Sequence, residues 1–202
     1  MCTIYISHFE QTDKHKYDTE HTAGLKLLCT ALSDRFKLNL TPEELKAQLK
    51  TNAYGKPYLI SHEDIHFNIS HCEDMAACAL STSPVGVDIE KIQSFSELII
   101  KKVLTPEEQA FLKQMHTDEK TYQEWFFRFW TLKESRIKQA GMGFSMPLLD
   151  FSFSFGTDTA PYKITCTDPG LYFTQQIIEN QYIIALCSTE SKPPVMNCLL
   201  TI

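Results

Sequence analysis

The chain has 202 residues, 43% of them hydrophobic and 11% aromatic, which supplies apolar surface for a sizeable core and excludes a disordered chain. With 19 Lys+Arg against 25 Asp+Glu the formal net charge is -6, so the broad basic surface of a nonspecific nucleic-acid binder is excluded as well. A small anionic ligand held by a few clustered cations is not.

The first residues, Met1-Cys2-Thr3-Ile4-Tyr5-Ile6, lack the basic and apolar regions of a secretory signal. No apolar run approaches the roughly 20 residues that span a bilayer. The seven cysteines are odd in number, widely spaced and without a C-x-x-C pair, and several sit in apolar runs such as Met75–Leu80. Reduced core thiols in a cytoplasmic protein without a membrane partner are the expectation.

In chain order, hydrophobic periodicity predicts a strand over Thr3–His8 and a helix over His21–Phe36, with Ala23, Leu27, Leu28, Ala31 and Leu32 on one face. Thr41-Pro42-Glu43-Glu44 is a helix start: threonine as N-cap, proline in the first turn, and a glutamate closing a capping box. Three strands follow, over Ile65–Ile69, Met75–Leu80 and Val85–Glu90, with a turn signal at Ser81-Thr82-Ser83-Pro84. Phe95–Val103 reads as helical, and Thr105-Pro106-Glu107-Glu108 repeats the capping box. A long helix over about Glu119–Ala140 is ended by Gly141 and Gly143. Phe151–Phe155 alternates as a half-buried strand, and Tyr162–Thr167, Leu171–Gln176 and Tyr182–Cys187 complete a meander. Each half runs helices and then strands, which predicts an α+β fold of two similar lobes. The division expected is an N-terminal lobe over 1–91, a C-terminal lobe over 92–190 and a loosely ordered tail over 191–202.

Three segments place charge where the pattern predicts core. In Val85-Gly86-Val87-Asp88-Ile89-Glu90, strand alternation puts Asp88 and Glu90 on one face. Carboxylates side by side repel, and one protonates unless a cation neutralises the pair. A hard divalent ion, most simply Mg2+, accepts carboxylate oxygens and keeps positions for water and phosphate. The competing reading is a solvated strand end. In the long helix, Phe126, Trp130, Glu134, Ile137 and Gly141 form one stripe, and a glutamate among aromatics is costly to bury without a partner. Glu134 is either a third metal carboxylate, with Lys138 a cation for phosphate oxygens, or half of a plain i,i+4 pair with Lys138. The third segment is Gly55-Lys56-Pro57-Tyr58 followed by Phe67-Asn68-Ile69-Ser70-His71. It offers a lysine on a turn, then a hydroxyl and an imidazole at a strand end that suit a phosphate.

Taken in this order, Gly-Lys-Pro, Phe-Asn-x-Ser-His, Gly-x-Asp-x-Glu and Trp-x-x-Lys-Glu-x-x-x-Lys-x-x-Gly-x-Gly resemble the motifs of 4'-phosphopantetheinyl transferases of the Sfp type. The resemblance covers about Tyr54 to Phe155 by motif. It implies a pseudosymmetric two-lobed α+β fold with coenzyme A bound between the lobes. It also implies Mg2+-dependent transfer of phosphopantetheine to a serine of an acyl or peptidyl carrier protein, releasing adenosine 3',5'-bisphosphate. On this resemblance Asp88, Glu90 and Glu134 match the metal carboxylates. Lys56, Ser70 and His71 match coenzyme A contacts, with Lys56 and His71 facing nucleotide phosphate, and Lys138 matches the lysine near the pyrophosphate. Glu108 aligns with a glutamate sometimes assigned as the base, although here it is also the glutamate that closes a capping box, three residues after Thr105. Where family members often carry arginine or lysine before the first long helix, this chain has Glu20-His21-Thr22, with Lys14 and Lys16 upstream.

The chemistry of phosphoryl transfer agrees with this resemblance, since metal and lysine neutralise charge on the phosphoryl and leaving oxygens. The carrier serine's proton goes to a carboxylate or a metal-bound water. Two other motif matches carry little. His62-Glu63-Asp64-Ile65-His66 fits the zinc-protease pattern but leads into a strand, and Ser135-Arg136-Ile137-Lys138 fits S-x-x-K without its companion motifs. The alternatives are another Mg2+-dependent nucleotide phosphoryl-transfer or hydrolytic enzyme and a non-catalytic carrier-binding module. Since one chain holds all the motifs, a monomer is expected. The acidic total also requires segregated cations: Lys56, His71, Lys133 and Lys138 inside the site, and Lys101, Lys102, Lys113 and Arg128 for carrier docking.

Overall fold

In the computed structural model, residues 2–10, 16–156, 162–192 and 194–201 are described, without the side chains of residues 16–18, 144 and 197–201. Lys14 lies outside the described residues, and of Lys16 only the backbone lies within them. The chain begins with β1 (Thr3–His8), α1 (Lys16–Phe36) and α2 (Pro42–Gln48). Thr41 caps α2, its hydroxyl accepting from the Glu44 amide at 3.2 Å while Glu44 Oε2 accepts from the Thr41 amide at 2.8 Å. A short hairpin of β2 (Leu49–Thr51) and β3 (Pro57–Leu59) carries Gly-Lys-Pro at its tip. It is followed by β4 (His66–Cys72), β5 (Met75–Ser81) and β6 (Val85–Lys91). Then come α3 (Ile100–Val103), α4 (Pro106–Gln114) and α5 (Glu119–Ala140), and finally β7 (Phe153–Phe155), β8 (Ile164–Cys166), β9 (Tyr172–Ile178), β10 (Tyr182–Ser188) and β11 (Val195–Thr201).

The mixed α+β class is as expected, while the sheets are partitioned differently from the chain order. One sheet has the order β11-β1-β5-β4, and the other β6-β10-β9. Thus β6 leaves the N-terminal segment to pair antiparallel with β10, and the tail supplies β11, parallel to β1 and not loosely ordered. The expected meander is also split, since β7 and β8 form a separate two-stranded sheet. The expected helix over Phe95–Val103 is helical only from Glu97, as a 3-10 turn running into α3.

The two main sheets pack face to face. Ile4, Ile6, Met75, Ala77 and Ala79 from the first meet Val85, Val87, Ile89, Ile184 and Leu186 from the second. The outer face of the first sheet (Tyr5, Ala76, Cys78, Leu80) is covered by α1 and α2, and that of the second (Ile183, Ala185) by α5 and an aromatic core. Strands buried on both faces read as continuous apolar runs, which is why Met75–Leu80 shows no alternation. In β6 one face joins the inter-sheet core, so Gly86, Asp88 and Glu90 are turned toward α5.

Six cysteines among the described residues are free thiols, and Cys2, Cys78 and Cys187 are buried. No helix among the described residues is long and apolar enough to cross a membrane.

Candidate active site

The seam between the sheets organises the site. β4 and β6 are edge strands, and an unpaired edge leaves amides to be satisfied. Side chains on alternate positions of β4 replace the missing backbone ladder. Asn68 Oδ1 accepts from the Val87 amide at 2.8 Å, Ser70 Oγ from the Ile89 amide at 3.3 Å, and Cys72 Sγ from the Lys91 amide at 3.3 Å.

Across β6 from this ladder runs α5. A Cβ on Gly86 would stand 2.1 Å from the Ser135 carbonyl oxygen and 2.2 Å from the Gln139 amide nitrogen, so only glycine lets helix and strand approach this closely. That approach brings Lys138 over Asp88. Lys138 Nζ lies 2.6 Å from Asp88 Oδ1 and 2.8 Å from Ser70 Oγ, and Ser70 donates to Asp88 Oδ1 at 3.0 Å. Further along, the Trp130 indole donates to Glu90 Oε1 at 3.2 Å.

Electrostatics sets this cluster apart. Asp88 is 2% exposed, and Asp88 Oδ2 and Glu134 Oε1 are buried without a hydrogen-bond partner among the described residues. Each such oxygen costs about 1–3 kcal/mol or more if nothing meets it. Burial pushes the Glu134 carboxyl up to about 7; the Asp88 charge adds to this and Lys138 opposes it. Burial and then the Asp88 charge raise Glu90 as well. Among the described residues no group of three or more His, Cys, Asp or Glu is gathered as a metal centre. The donor set still suits a hard cation: burial and the Asp88 charge push Glu90 and Glu134 toward their neutral forms, and two buried carboxylate oxygens are left over.

Beside the cluster lies a cleft of about 290 Å³, whose walls include Tyr54–Pro57 from the β2–β3 hairpin, Asn68, Glu134, Ile137, Lys138, Gly141 and Gly143. Gly141 ends α5 in the left-handed region (φ 67°), and the hairpin grips that end. Asn52 Nδ2 donates to the Gly141 carbonyl at 2.8 Å. A larger, shallower hollow of about 720 Å³ lies on the α1–α2 side, lined by Cys29, Ser33, Asp34, Lys37 and Asn39, and none of the motif residues reach it.

The structure brings together Asp88, Glu90, Glu134, Lys138 and Ser70, and it assigns several other expected residues different partners. Lys56 Nζ donates to the carbonyls of Val85 (2.9 Å) and Gln139 (3.1 Å), and burial lowers its pKa to about 8. It borders the cleft while pinning β6 to the end of α5. His71 is partly exposed on β4, with Nδ1 3.5 Å from Glu20 Oε2, so a carboxylate stands beside a residue expected to face phosphate.

Glu108 lies elsewhere, fully buried. Its Oε2 accepts from the Thr105 amide and from Lys133 Nζ, both at 2.8 Å, and its Oε1 accepts from the Phe153 amide at 2.8 Å. The capping role is realised, and both oxygens are engaged inside the core. Lys133, expected inside the site, is 0% exposed and donates also to the carbonyls of Leu148 and Phe151. Arg128, expected on a docking surface, is buried against Glu124, Gln175 and the faces of Trp125 and Tyr162. The His62–His66 segment is a turn leading into β4 and not a helix. The β4 ladder and the Trp130–Glu90 contact were not anticipated. The alternation of small hydrogen-bonding residues at 68, 70 and 72 was the available signal.

Comparison with known proteins agrees with the motif reading. The family model of the 4'-phosphopantetheinyl transferase superfamily matches residues 84–187, from the start of β6 to β10. A 4'-phosphopantetheinyl transferase of Bacillus subtilis is 38% identical over 145 residues, covering 71% of this chain and 62% of that protein. 4'-Phosphopantetheinyl transferase Sfp of Bacillus subtilis (strain 168) is 31% identical over 182 residues, covering 89% of this chain and 79% of Sfp. L-aminoadipate-semialdehyde dehydrogenase-phosphopantetheinyl transferase of Homo sapiens is 35% identical over 133 residues, 58% of this chain and 42% of that protein. The match thus spans less than two thirds of the first of these relatives and more of the second.

Proposed function

The chain belongs to the 4'-phosphopantetheinyl transferase superfamily, and on that premise we propose that it transfers phosphopantetheine from coenzyme A to a serine of an apo carrier protein, releasing adenosine 3',5'-bisphosphate. The observation that carries this reading is the pair of buried oxygens, Asp88 Oδ2 and Glu134 Oε1, without a hydrogen-bond partner among the described residues, beside Lys138 and a cleft between the β2–β3 hairpin and the end of α5. We take the two main sheets with their helices as the expected lobes, with the substrate at their seam.

Asp88, Glu90 and Glu134 would hold Mg2+. Bound there, the ion supplies positive charge for the phosphoryl oxygens and lowers the cost of the developing negative charge. The remaining steps belong to the chain's own residues. Lys138, on the wall of the cleft, offers its ammonium to the pyrophosphate, and the Gly141 and Gly143 segment keeps that wall free of bulk. Glu134, which lines the cleft, is the carboxylate we assign to accept the serine proton, through the oxygen that the ion would leave open. Ser70 orients Asp88 and Lys138, while Lys56 shapes the cleft from its place on the Val85 and Gln139 carbonyls. The exposed Lys101, Lys102 and Lys113, with Leu98 at 81% exposure, form the face offered to an acidic carrier. One chain supplies both walls of the cleft, so the enzyme acts as a monomer.

The test is the mass of the carrier. Incubated with coenzyme A, Mg2+ and this protein, apo carrier protein gains one phosphopantetheine. An unchanged mass on each of several carriers would remove the assignment.

A further inference from the structure

The Glu90 carboxylate depends on outside support in a way that Asp88 does not. Asp88 is short, and Ser70 and Lys138 fix one of its oxygens. Glu90 has a longer side chain with more rotamers to lose, and it lies nearer the end of β6. Its support comes from another element. From α5, the Trp130 indole N–H reaches Oε1 at 3.2 Å. On the β4 side, the Cys72 sulfur accepts the Lys91 amide at 3.3 Å and so fixes the end of β6 that carries Glu90.

Trp130 is well placed for this. An indole N–H is donor only, so its direction is spent on one acceptor. The ring is held in turn: it stacks on Phe126 with centroids 6.4 Å apart and an interplanar angle of 18°, and Phe126 stacks on Phe95 at 3.8 Å and 14°. Trp130 also stands one helical turn before Glu134, so a single rigid helix sets the carboxylate Glu134 and the donor that orients Glu90.

Building on the metal reading above, we propose that Trp130 is a positioning residue: its indole N–H holds the Glu90 carboxylate in the orientation a divalent cation requires. Hydrogen bonds behind a ligand set its geometry and strengthen its hold on the ion.

The test is Mg2+ binding to the whole chain by titration calorimetry without coenzyme A or carrier. Trp130→Phe keeps a flat aromatic ring and deletes the N–H, and its Mg2+ affinity falls about tenfold, as expected for one hydrogen bond to a charged group. In the transfer assay the same variant shows its loss in the KM for Mg2+ and not in kcat. Unchanged Mg2+ affinity in folded Trp130→Phe overturns the proposal. If the unaltered chain itself binds no Mg2+, the metal reading fails and this proposal with it, which is a distinct result. Should Trp130→Phe not fold, the indole N–H resonance of Trp130 serves, identified against Trp125→Phe since the chain has two tryptophans. That resonance shifts on Mg2+ addition, and a resonance unmoved at saturating Mg2+ overturns the proposal.

Discussion

Helix α5 carries two lysine–carboxylate pairs that look alike in sequence and differ in kind. Lys133 meets Glu108, and five residues on Lys138 meets Asp88, with Glu134 close by. At about 100° per residue the two lysines lie some 140° apart around the helix, one toward the aromatic core and one toward β6. In the first pair every charged atom is engaged: Lys133 has three acceptors, and both Glu108 oxygens accept. At the second, Asp88 Oδ2 and the neighbouring Glu134 Oε1 have no hydrogen-bond partner among the described residues. Burial is common to both, so burial does not mark a site. Incomplete satisfaction does, because a fold gains nothing from an orphaned buried carboxylate that a ligand does not repay.

The sharpest way to break this contrast is to remove one lysine. Lys133→Met strands Glu108 in the core, and the expected loss is ~3–5 kcal/mol of stability in urea unfolding, with transfer per folded molecule retained. A loss below ~1 kcal/mol would mean that Glu108 readily protonates or finds water, and the structural reading of that pair would fall.

Glu134→Gln reverses the pattern. The amide cannot ionise, so the repulsion with Asp88 is relieved and stability is kept or raised. Transfer is expected to fall on the order of 10²-fold or more, measured as carrier modified per unit time. Near-normal turnover would take Glu134 out of the chemistry.

Between these lies Gly86→Ala, which tests the approach that creates the second pair. A methyl group 2.1 Å from the Ser135 carbonyl oxygen forces α5 off β6, and overpacking of this kind costs ~1–3 kcal/mol. Because the shift separates Lys138 and Glu134 from Asp88, transfer declines even in molecules that remain folded. Intact activity would show that the close approach matters to packing alone.

Local signals were legible. Both capping boxes were readable because threonine, proline and glutamate act within one turn, and the end of α5 at Gly141 was readable for the same reason. Strand alternation placed Asp88 and Glu90 on one face, and the structure turns that face toward α5. What sequence could not supply were partners. Periodicity of two tells which face a residue occupies and is silent on which strand lies alongside, so β6 pairing with β10 and β11 with β1 went unseen. The β2–β3 hairpin, with three-residue strands, is too short to show a period. The partners of Lys56 are backbone carbonyls, which have no sequence signature at all. Lys133 was the avoidable error, since its angle on α5 already separated it from Lys138.

A third, more exposed pair extends the contrast to its weak end. At the end of β1, His8 Nε2 lies 2.7 Å from Glu179 Oε1 and Nδ1 lies 3.0 Å from Asp74 Oδ2, linking the β9–β10 turn to the β4–β5 turn and so one sheet to the other. The Glu179 hydrogen bond, supported by Asp74, raises the His8 pKa against a smaller opposing effect of burial. A histidine whose folded pKa exceeds its unfolded value binds its proton more tightly in the native state. Its contribution is therefore fully present below about pH 6.5 and is lost as pH rises through the raised folded value. Asp74, held low first by the Tyr182 hydroxyl and also by His8, keeps its charge through this window, so the change belongs to the imidazole. With a third of the His8 side chain exposed, water screens the pair, and exposed pairs are worth ~0.2–1 kcal/mol. The measurement is urea unfolding of the unaltered chain and of His8→Gln at pH 5.5 and pH 8.5. The unaltered chain should lead by a few tenths of a kcal/mol to ~1 kcal/mol at the lower pH, and the lead should shrink at the higher. A lead that does not vary with pH would show that His8 holds the two turns together as a neutral ring, and charge would have no part in joining the sheets at this end.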